Sequence, residues 1–211
     1  MYLFAAIVPP RHVVDEVREV VAAVRPPGAQ EEAPKRGLLS RRRDTQTDPS
    51  FTTDELSFVT AEQMYLPVTG FGNVTLGDSV QLAKSLRAEA AGWPRPTVHV
   101  QGATALEFKG DESVWAKLAG DVDELMTIGR GVPQVVQRLG FFVDRRAFRP
   151  WLSVATITDT TTAPYLQSLV DALGSFESRS WTIESISLMK GLPEVSRDAF
   201  EEIEQMPLAV G

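Results

Sequence analysis

YLPV at residues 65–68 has a counterpart in WLSV at residues 151–154, 86 positions further along the chain. Both segments are short and strand-like, and they lie in similar sequence settings. Neither contains a histidine. The whole chain has only two histidines, His12 and His99, and neither of them lies in a recognisable motif. Any site that needs two histidines would have to use both.

Composition limits the classes of protein to consider. The 211 residues suit one large domain or two intertwined lobes, and a hydrophobic content of 43% is sufficient for a packed core. No apolar stretch approaches the roughly 20 residues needed to cross a bilayer, and the apolar start at residues 1–8 is typical of a strand. The absence of cysteine excludes disulfides and thiolate sites, and it favours a cytoplasmic protein. A net charge of -7 opposes nonspecific attraction to nucleic acid.

Hydrophobic periodicity predicts alternating strands and helices. In each half, the order strand, helix, strand, helix, strand indicates a weak internal duplication. Asp78 followed by Gln81 predicts a helix start of the capping-box type. The predicted strands are 2–8, 64–71, 97–101, 114–118, 148–158 and 181–189. Four helices are predicted: one at 12–25, one from Asp78 to Gly92, one interrupted near Gly129, Gly131 and Pro133, and one around 166–173. Residues near 200–208 are predicted to form a strand or a short helix.

Residues 26–55 differ from the rest in holding four prolines, many charges and almost no apolar periodicity. This composition predicts a flexible insertion. The run of arginines at 41–43 precedes Thr45 and Thr47, a pattern that suits a basophilic kinase. Two interpretations stay open: a solvated polar loop, and a phosphorylation-controlled segment that docks a protein partner.

Three stretches resemble conserved parts of the 2H phosphoesterase superfamily, in particular its 2′-5′ RNA ligase and cyclic phosphodiesterase branch. They are YLFAAIVPP at 2–10, FVTAEQMYLPV at 58–68 with FGNV at 71–74, and DRRAFRPWLSVA at 144–155. The resemblance covers nearly the whole chain, apart from the insertion. It implies an α+β fold in two lobes, with two antiparallel sheets, flanking helices and pseudo-twofold symmetry. We therefore expect residues 1–211 to form a single bilobal domain.

The resemblance also implies a catalytic groove with two His-x-Thr/Ser motifs facing each other. One histidine would act as base and the other as acid, because each must change protonation near neutral pH. Here the motif positions hold Tyr65 and Pro67 in the first segment, and Trp151 and Ser153 in the second. Tyrosine side chains titrate near pH 10, indole does not titrate, and proline has no side-chain donor. Both histidine positions are therefore degenerate.

Each candidate residue has a structural and a functional interpretation. Tyr65 and Trp151 either fill the space that histidines would occupy or stack a base. Ser153 is a strand hydroxyl or a nucleophile, although no histidine or carboxylate partner lies near it in the sequence. The cluster at residues 145, 146 and 149, all arginines, is a solvated loop or a phosphate pocket. His99, between two valines, is a structural residue or a relocated catalytic group.

The sequence thus favours a noncatalytic binding or regulatory module, with Tyr65, Trp151, Ser153 and Arg149 as the candidate ligand-binding residues. The alternative is an active RNA or cyclic-nucleotide phosphodiesterase that uses relocated groups such as His99. A nucleotide or an RNA end is the expected ligand, with a protein partner through residues 26–55 as the other candidate. No motif for a metal or a cofactor is present in the sequence, so we expect neither.

Overall fold

The computed structural model describes residues 1–24, 52–53, 56–108, 111–143, 146–193, 195 and 199–209. Ten strands and four helices are defined in these ranges. In chain order they are β1 (Tyr2–Ile7), α1 (Arg11–Ala23), β2 (Thr52–Thr53), β3 (Leu56–Phe58), β4 (Leu66–Asn73), α2 (Leu76–Ala90), β5 (Thr97–Phe108), β6 (Asp111–Gly120), α3 (Val122–Arg138), β7 (Trp151–Ile157), α4 (Ala163–Gly174), β8 (Trp181–Thr182), β9 (Ser185–Gly191) and β10 (Phe200–Pro207).

The strands form two sheets, and every strand pair in them is antiparallel. The four-stranded sheet has the order β10-β9-β1-β4, and the six-stranded sheet has the order β2-β3-β7-β6-β5-β8. The helices flank these sheets, with α4 packed on β5, α1 on α4 and α2 on α3. The predicted α+β class with two antiparallel sheets is confirmed.

The motif-bearing strands β4 and β7 belong to different sheets, and they contact each other where the sheets meet. Along β4, Leu66 and Val68 are buried in the core whereas Pro67 between them is exposed. Side chains two apart on a strand share a face. The buried face of β4 therefore anchors the strand, and its other face is left to line the space between the sheets.

The first helix forms because its valines repeat on one side. Val13, Val14 and Val17 are buried, and each contributes about 1.5–3 kcal/mol on transfer from water. The predicted helix at 12–25 is confirmed within two residues at each end. Within the described ranges, no helix is both long enough and apolar enough to cross a bilayer.

Three predictions about individual elements are wrong: the start of the second helix, the interruption of the third helix, and the single strand at 181–189. The second helix begins earlier than Asp78, because Thr75 is its cap: the Thr75 hydroxyl accepts from the Asp78 amide at 3.2 Å and donates to the Asp78 carboxylate at 2.7 Å. The third helix is continuous through Pro133. The segment 181–189 is two strands in different sheets, since the chain crosses between the sheets at residues 183–184.

Other strands are confirmed with different lengths. The strand predicted at 97–101 extends to Phe108, and its hairpin partner spans Asp111–Gly120. The seventh strand begins at Trp151, so residues 148–150 precede it. The end of the chain forms a strand, which settles the predicted choice between a strand and a short helix. Most of the insertion predicted at 26–55 lies outside the described residues, apart from β2.

Candidate ligand-binding cavity

A cavity of about 690 Å³ lies between the two sheets. This volume falls within the range of small-molecule sites, which is roughly 300–1,000 Å³. The cavity is lined by Tyr2, Phe4, Ala5, Ser57, Phe58, Val59, Gln63, Tyr65, Pro67, Val68, Thr69, Gly70, Asp111, Trp115, Arg146, Ala147, Phe148, Arg149, Ser153, Thr156, Gly191, Ala199 and Phe200.

Four aromatic rings form the wall on the side of the four-stranded sheet. The ring of Phe4, on β1, lies 5.6 Å from Tyr65 and 5.9 Å from Phe200, centroid to centroid. Tyr65 and Phe200 meet edge to face at 5.1 Å, and Tyr2 lies 6.1 Å from Phe4. These separations are typical of favourable aromatic pairs. We call this group, Tyr2, Phe4, Tyr65 and Phe200, the aromatic wall.

Two glycines, Gly70 and Gly191, leave the space that the Tyr2 ring of the aromatic wall occupies. A Cβ placed on Gly70 would lie 3.1 Å from the Tyr2 hydroxyl, and one on Gly191 would lie 3.2 Å from the Tyr2 ring. Both distances are shorter than ordinary van der Waals contact. The Tyr2 ring therefore lies against bare backbone of both neighbouring strands, and larger residues there would displace it.

The opposite wall comes from the six-stranded sheet and carries hydroxyl groups. Ser153 on β7 is paired directly with Trp115 on β6, and Thr156 is paired with Ser113. Directly opposed residues in an antiparallel pair point to the same side of the sheet. Ser153 and Trp115 therefore face the cavity together, and both line it.

Three of the described residues that line the cavity carry a formal charge: Arg146, Arg149 and Asp111. A guanidinium nitrogen of Arg149 lies 3.1 Å from a carboxylate oxygen of Asp111, the first residue of β6. The two arginines lie on the segment that connects α3 to β7. Phe148, on the same segment, packs its ring against Gly129 of α3, where a Cβ would overlap the ring atoms.

Trp151 does not line the cavity, although it lies beside it. Its ring is covered by two cations: the guanidinium carbon of Arg149 is 5.0 Å from the ring centroid, and the Lys117 ammonium is 5.7 Å away. Trp115 lies 6.4 Å away, centroid to centroid. The Trp151 indole therefore stabilises the position of the Arg149 guanidinium through a cation–π contact.

The structure brings together most of the residues that the sequence singled out. Tyr65, Pro67, Ser153 and Arg149 line one cavity, and Arg146 joins them. Arg145, Thr45 and Thr47 lie outside the described residues.

Neither histidine lines the cavity. His99 opposes Ala119 on β6, four residues beyond Trp115, which corresponds to about 13 Å along the strand. Its Nε2 atom lies 3.8 Å from a carboxylate oxygen of Glu177. His12 lies in the first turn of α1. The proposal that His99 serves as a relocated group in the groove is therefore not supported by its position.

The sequence analysis did not single out several contributors to the site, among them Tyr2, Phe4, Phe200, Trp115 and Asp111. Phe4 lies within an apolar strand, and Phe200 comes from the far end of the chain. Trp115 and Asp111 lie on β6, which is brought to β7 by long-range pairing. A cross-strand register would have identified Trp115, because it is the direct partner of Ser153.

Comparison with known proteins identifies solved structures that share this fold. No family model matches the chain, and no curated protein matches its sequence. Solved structures match it along its full length: TT0787 of Thermus thermophilus is 16% identical with a TM-score of 0.65, covering 99% of this chain and 98% of that one. LigT of E. coli in complex with NADP+ is 14% identical with a TM-score of 0.65 and the same coverage. A structure described as a phosphoesterase is 15% identical with a TM-score of 0.66, again with 99% and 98% coverage.

The chain has the LigT-like fold of the 2H phosphoesterases. The resemblance drawn from the three sequence stretches is thereby confirmed at the level of the fold. LigT of E. coli has also been crystallised with 3'-AMP, with ATP and with phosphate. In the described part of this LigT-like chain, no three His, Asp or Glu side chains are grouped so as to hold a metal ion.

Proposed function

We propose that this LigT-like protein is a noncatalytic module that binds a nucleotide or an RNA end in the cavity between its sheets. The observation that carries the proposal is the chemistry of the cavity lining. It contains aromatic rings, hydroxyls, two arginines and one ion-paired carboxylate, and it contains neither of the two histidines of the chain.

Loss of acid–base catalysis follows from these side chains. One positioned proton-transfer group typically contributes about 100- to 10,000-fold to a rate. Arginine stays protonated in proteins, so Arg146 and Arg149 hold anions but do not exchange protons. With tyrosine and tryptophan at both histidine positions, the described lining offers a phosphodiester no histidine, and its one carboxylate, Asp111, is already paired with Arg149.

Capacity to bind is supported by the two unlike walls. Aromatic side chains stack nucleobases at about 1–3 kcal/mol per base. Arginine pairs with phosphate through its planar set of N–H donors. The aromatic wall and the pair Arg146 and Arg149 lie on the same cavity, so one ligand with a base and a phosphate can contact both. The nucleotide and phosphate complexes of E. coli LigT accord with this choice of ligand.

Purified protein tests the proposal in two parallel assays. In the first, 2′,3′-cyclic nucleotides and 2′-5′ linked dinucleotides are incubated with wild type and with Ser153→Ala, and products are resolved chromatographically. We expect no product above background. Activity equal in the two samples identifies a contaminant, whereas turnover that disappears in Ser153→Ala contradicts the proposal.

The second assay measures binding of 2′,3′-cyclic AMP by calorimetry. Tyr65→Ala should weaken binding about tenfold, because one stacking contact is lost, while Tyr65→Phe should retain most of the affinity. Phe108→Ala is the matched control, since Phe108 is 69% exposed and does not line the cavity. An affinity that is unchanged in Tyr65→Ala rules out the aromatic wall as the ligand contact.

A protein partner that docks on residues 26–55 stays a second prediction, compatible with the first. Thr45 and Thr47 are its candidate phosphorylation sites, and phosphosite mapping by mass spectrometry tests them. A cytoplasmic location likewise stays a prediction, which depends on the absence of cysteine.

A further inference from the structure

We infer that Asp111 makes the cavity selective for phosphate groups that carry a single negative charge. Phosphodiesters and cyclic phosphates are such groups, whereas a terminal phosphomonoester carries close to two charges above its second pKa of about 6. The inference depends on the proposed function, because it concerns the ligand of the same cavity.

The charge of the cavity is the first reason. The described lining has one carboxylate, Asp111, and it already offsets part of the charge of Arg149. The second negative charge of a dianion bound at Arg149 would therefore lie next to a carboxylate. The Lys117 ammonium lies over the Trp151 ring, and Lys117 is not part of the lining.

The position of the carboxylate is the second reason. Asp111 holds one nitrogen of Arg149 at 3.1 Å, while Trp151 supports the same guanidinium at 5.0 Å. Arginine presents five N–H donors in a fixed plane, so donors remain for a phosphate while Asp111 keeps its own contact. A phosphate bound to Arg149 is therefore brought close to the Asp111 carboxylate.

The strength of the effect follows from that proximity. Two unit charges about 4 Å apart repel measurably even at the dielectric constant of water, and more strongly near a protein surface. The side chains of Arg149 and Asp111 are 49% and 34% exposed, which places the repulsion at the weak end of this range. We expect the second charge of a ligand to cost at least about fivefold in affinity.

Calorimetric titrations of three adenine ligands test the inference at one ionic strength and pH 7.5. The ligands are adenosine without charge, 2′,3′-cyclic AMP with one charge and AMP with nearly two. Each is measured on wild type and on Asp111→Asn, which keeps the shape of the side chain and removes its charge. The quantity compared is the ratio of the AMP affinity to the cyclic AMP affinity, measured in wild type and in Asp111→Asn. Because both proteins bind the same two ligands, the difference in ligand shape cancels when the two ratios are compared.

We expect Asp111→Asn to tighten AMP at least about fivefold more than cyclic AMP, and to leave adenosine unchanged. Glu89→Gln is the matched control: it removes the same charge from an arginine pair, with Arg138 at 2.7 Å, away from the cavity. That variant should leave all three affinities unchanged.

Three outcomes overturn the inference. If Asp111→Asn tightens AMP and cyclic AMP equally, Asp111 competes for Arg149 without selecting by charge. If Asp111→Asn changes neither affinity, Asp111 plays no part in binding or in selection. Binding of the two charged ligands that is absent in both wild type and Asp111→Asn overturns the proposed function as well, and this result distinguishes the two failures. Thermal melting of each variant verifies that it is folded.

Discussion

Close packing at single residues positions the cations of the cavity. Gly129 lies in the interior of α3, where glycine normally costs helix stability. The ring of Phe148 occupies the space that a Cβ at Gly129 would take. Gly131 accepts the ring of Trp93 in the same way, with the nearest ring carbon 2.8 Å from a Cβ built there. At both positions, the absence of a side chain therefore leaves space that an aromatic ring fills. The packing of Phe148 on Gly129 holds in place the segment that carries Arg146 and Arg149.

Gly129→Ala should lower the free energy of unfolding by about 1–3 kcal/mol, the usual cost of overpacking a filled site. Urea denaturation followed by circular dichroism measures the change. Gly174→Ala is the matched control, since Gly174 ends α4 with nothing within 4 Å of a Cβ placed there. The control should be neutral or slightly stabilising. Equal stability of the two variants would contradict the packing of Phe148 on Gly129.

At the residue scale, the candidate site residues came from the resemblance of two short segments to the paired motifs of a known superfamily. Tyr65 and Pro67 lie two apart, as do Trp151 and Ser153, so each pair shares a face as soon as its strand is located. The cavity lining includes three of these four. Phe200 was beyond prediction because its contact with Tyr65 joins the end of the chain to its first third, and no local pattern encodes such a pairing.

Elements are joined by a few polar contacts outside the cavity. Glu16 on α1 accepts a hydrogen bond from the backbone N–H of Arg179 at 3.0 Å, and it also pairs with the Arg179 guanidinium. Arg179 follows α4, so this contact connects the first helix to the chain beyond the last. The Arg179 backbone N–H is the main reason that the pKa of Glu16 is lowered, and the Arg179 side chain and His12 lower it further.

Glu16→Gln should destabilise the protein by about 1 kcal/mol at pH 7, because a partly exposed charged contact is lost. Since the folded-state pKa of Glu16 is lowered, its contribution is fully present above the unfolded pKa and disappears as pH falls through the folded one. The difference between wild type and Glu16→Gln should therefore shrink between pH 7 and pH 3. Urea denaturation at both values measures it.

Asp15→Asn provides the comparison for this contact. Asp15 pairs with Arg11 at 3.0 Å within the same helix, and both side chains are exposed. Such a pair contributes only about 0.3–0.5 kcal/mol. If Asp15→Asn lowers the free energy of unfolding as much as Glu16→Gln does, the destabilisation arises from the loss of a negative charge on α1. The contact between Glu16 and Arg179 would then not be its cause.

At the element scale, the sequence predicted which elements exist better than where they end. Pro133 with Gly129 and Gly131 predicted a break, yet α3 continues because its buried face, including Val132 and Val135, is fixed by the core. Tertiary packing overrides local propensity in such a helix. The split of residues 181–189 between two sheets was equally hidden, since both pieces keep the alternation of a single strand.

The two halves of the molecule are interlocked by the path of the chain. Strand β1 lies between β4 and β9 in the four-stranded sheet, and β9 and β10 come from the end of the chain. The second half therefore completes the sheet that the first half begins. The buried hydrophobic residues of both sheets form one cluster, which includes Leu3 and Phe71 from one sheet and Val114 and Leu152 from the other.

This interlocking predicts that the bilobal chain unfolds as a single cooperative unit. Neither half has a complete four-stranded sheet, so separating the halves would expose the cluster in both. In denaturant titrations, circular dichroism and tryptophan fluorescence should give coincident midpoints. Native-state hydrogen exchange supplies the sharper measurement: amides of β1 and β7, which lie in different sheets, should open with the same free energy, equal to that of global unfolding. If the β1 amides exchange through an opening several kcal/mol cheaper than those of β7, the lobes unfold separately. Residues 1–211 would then comprise two stability units joined by shared strands.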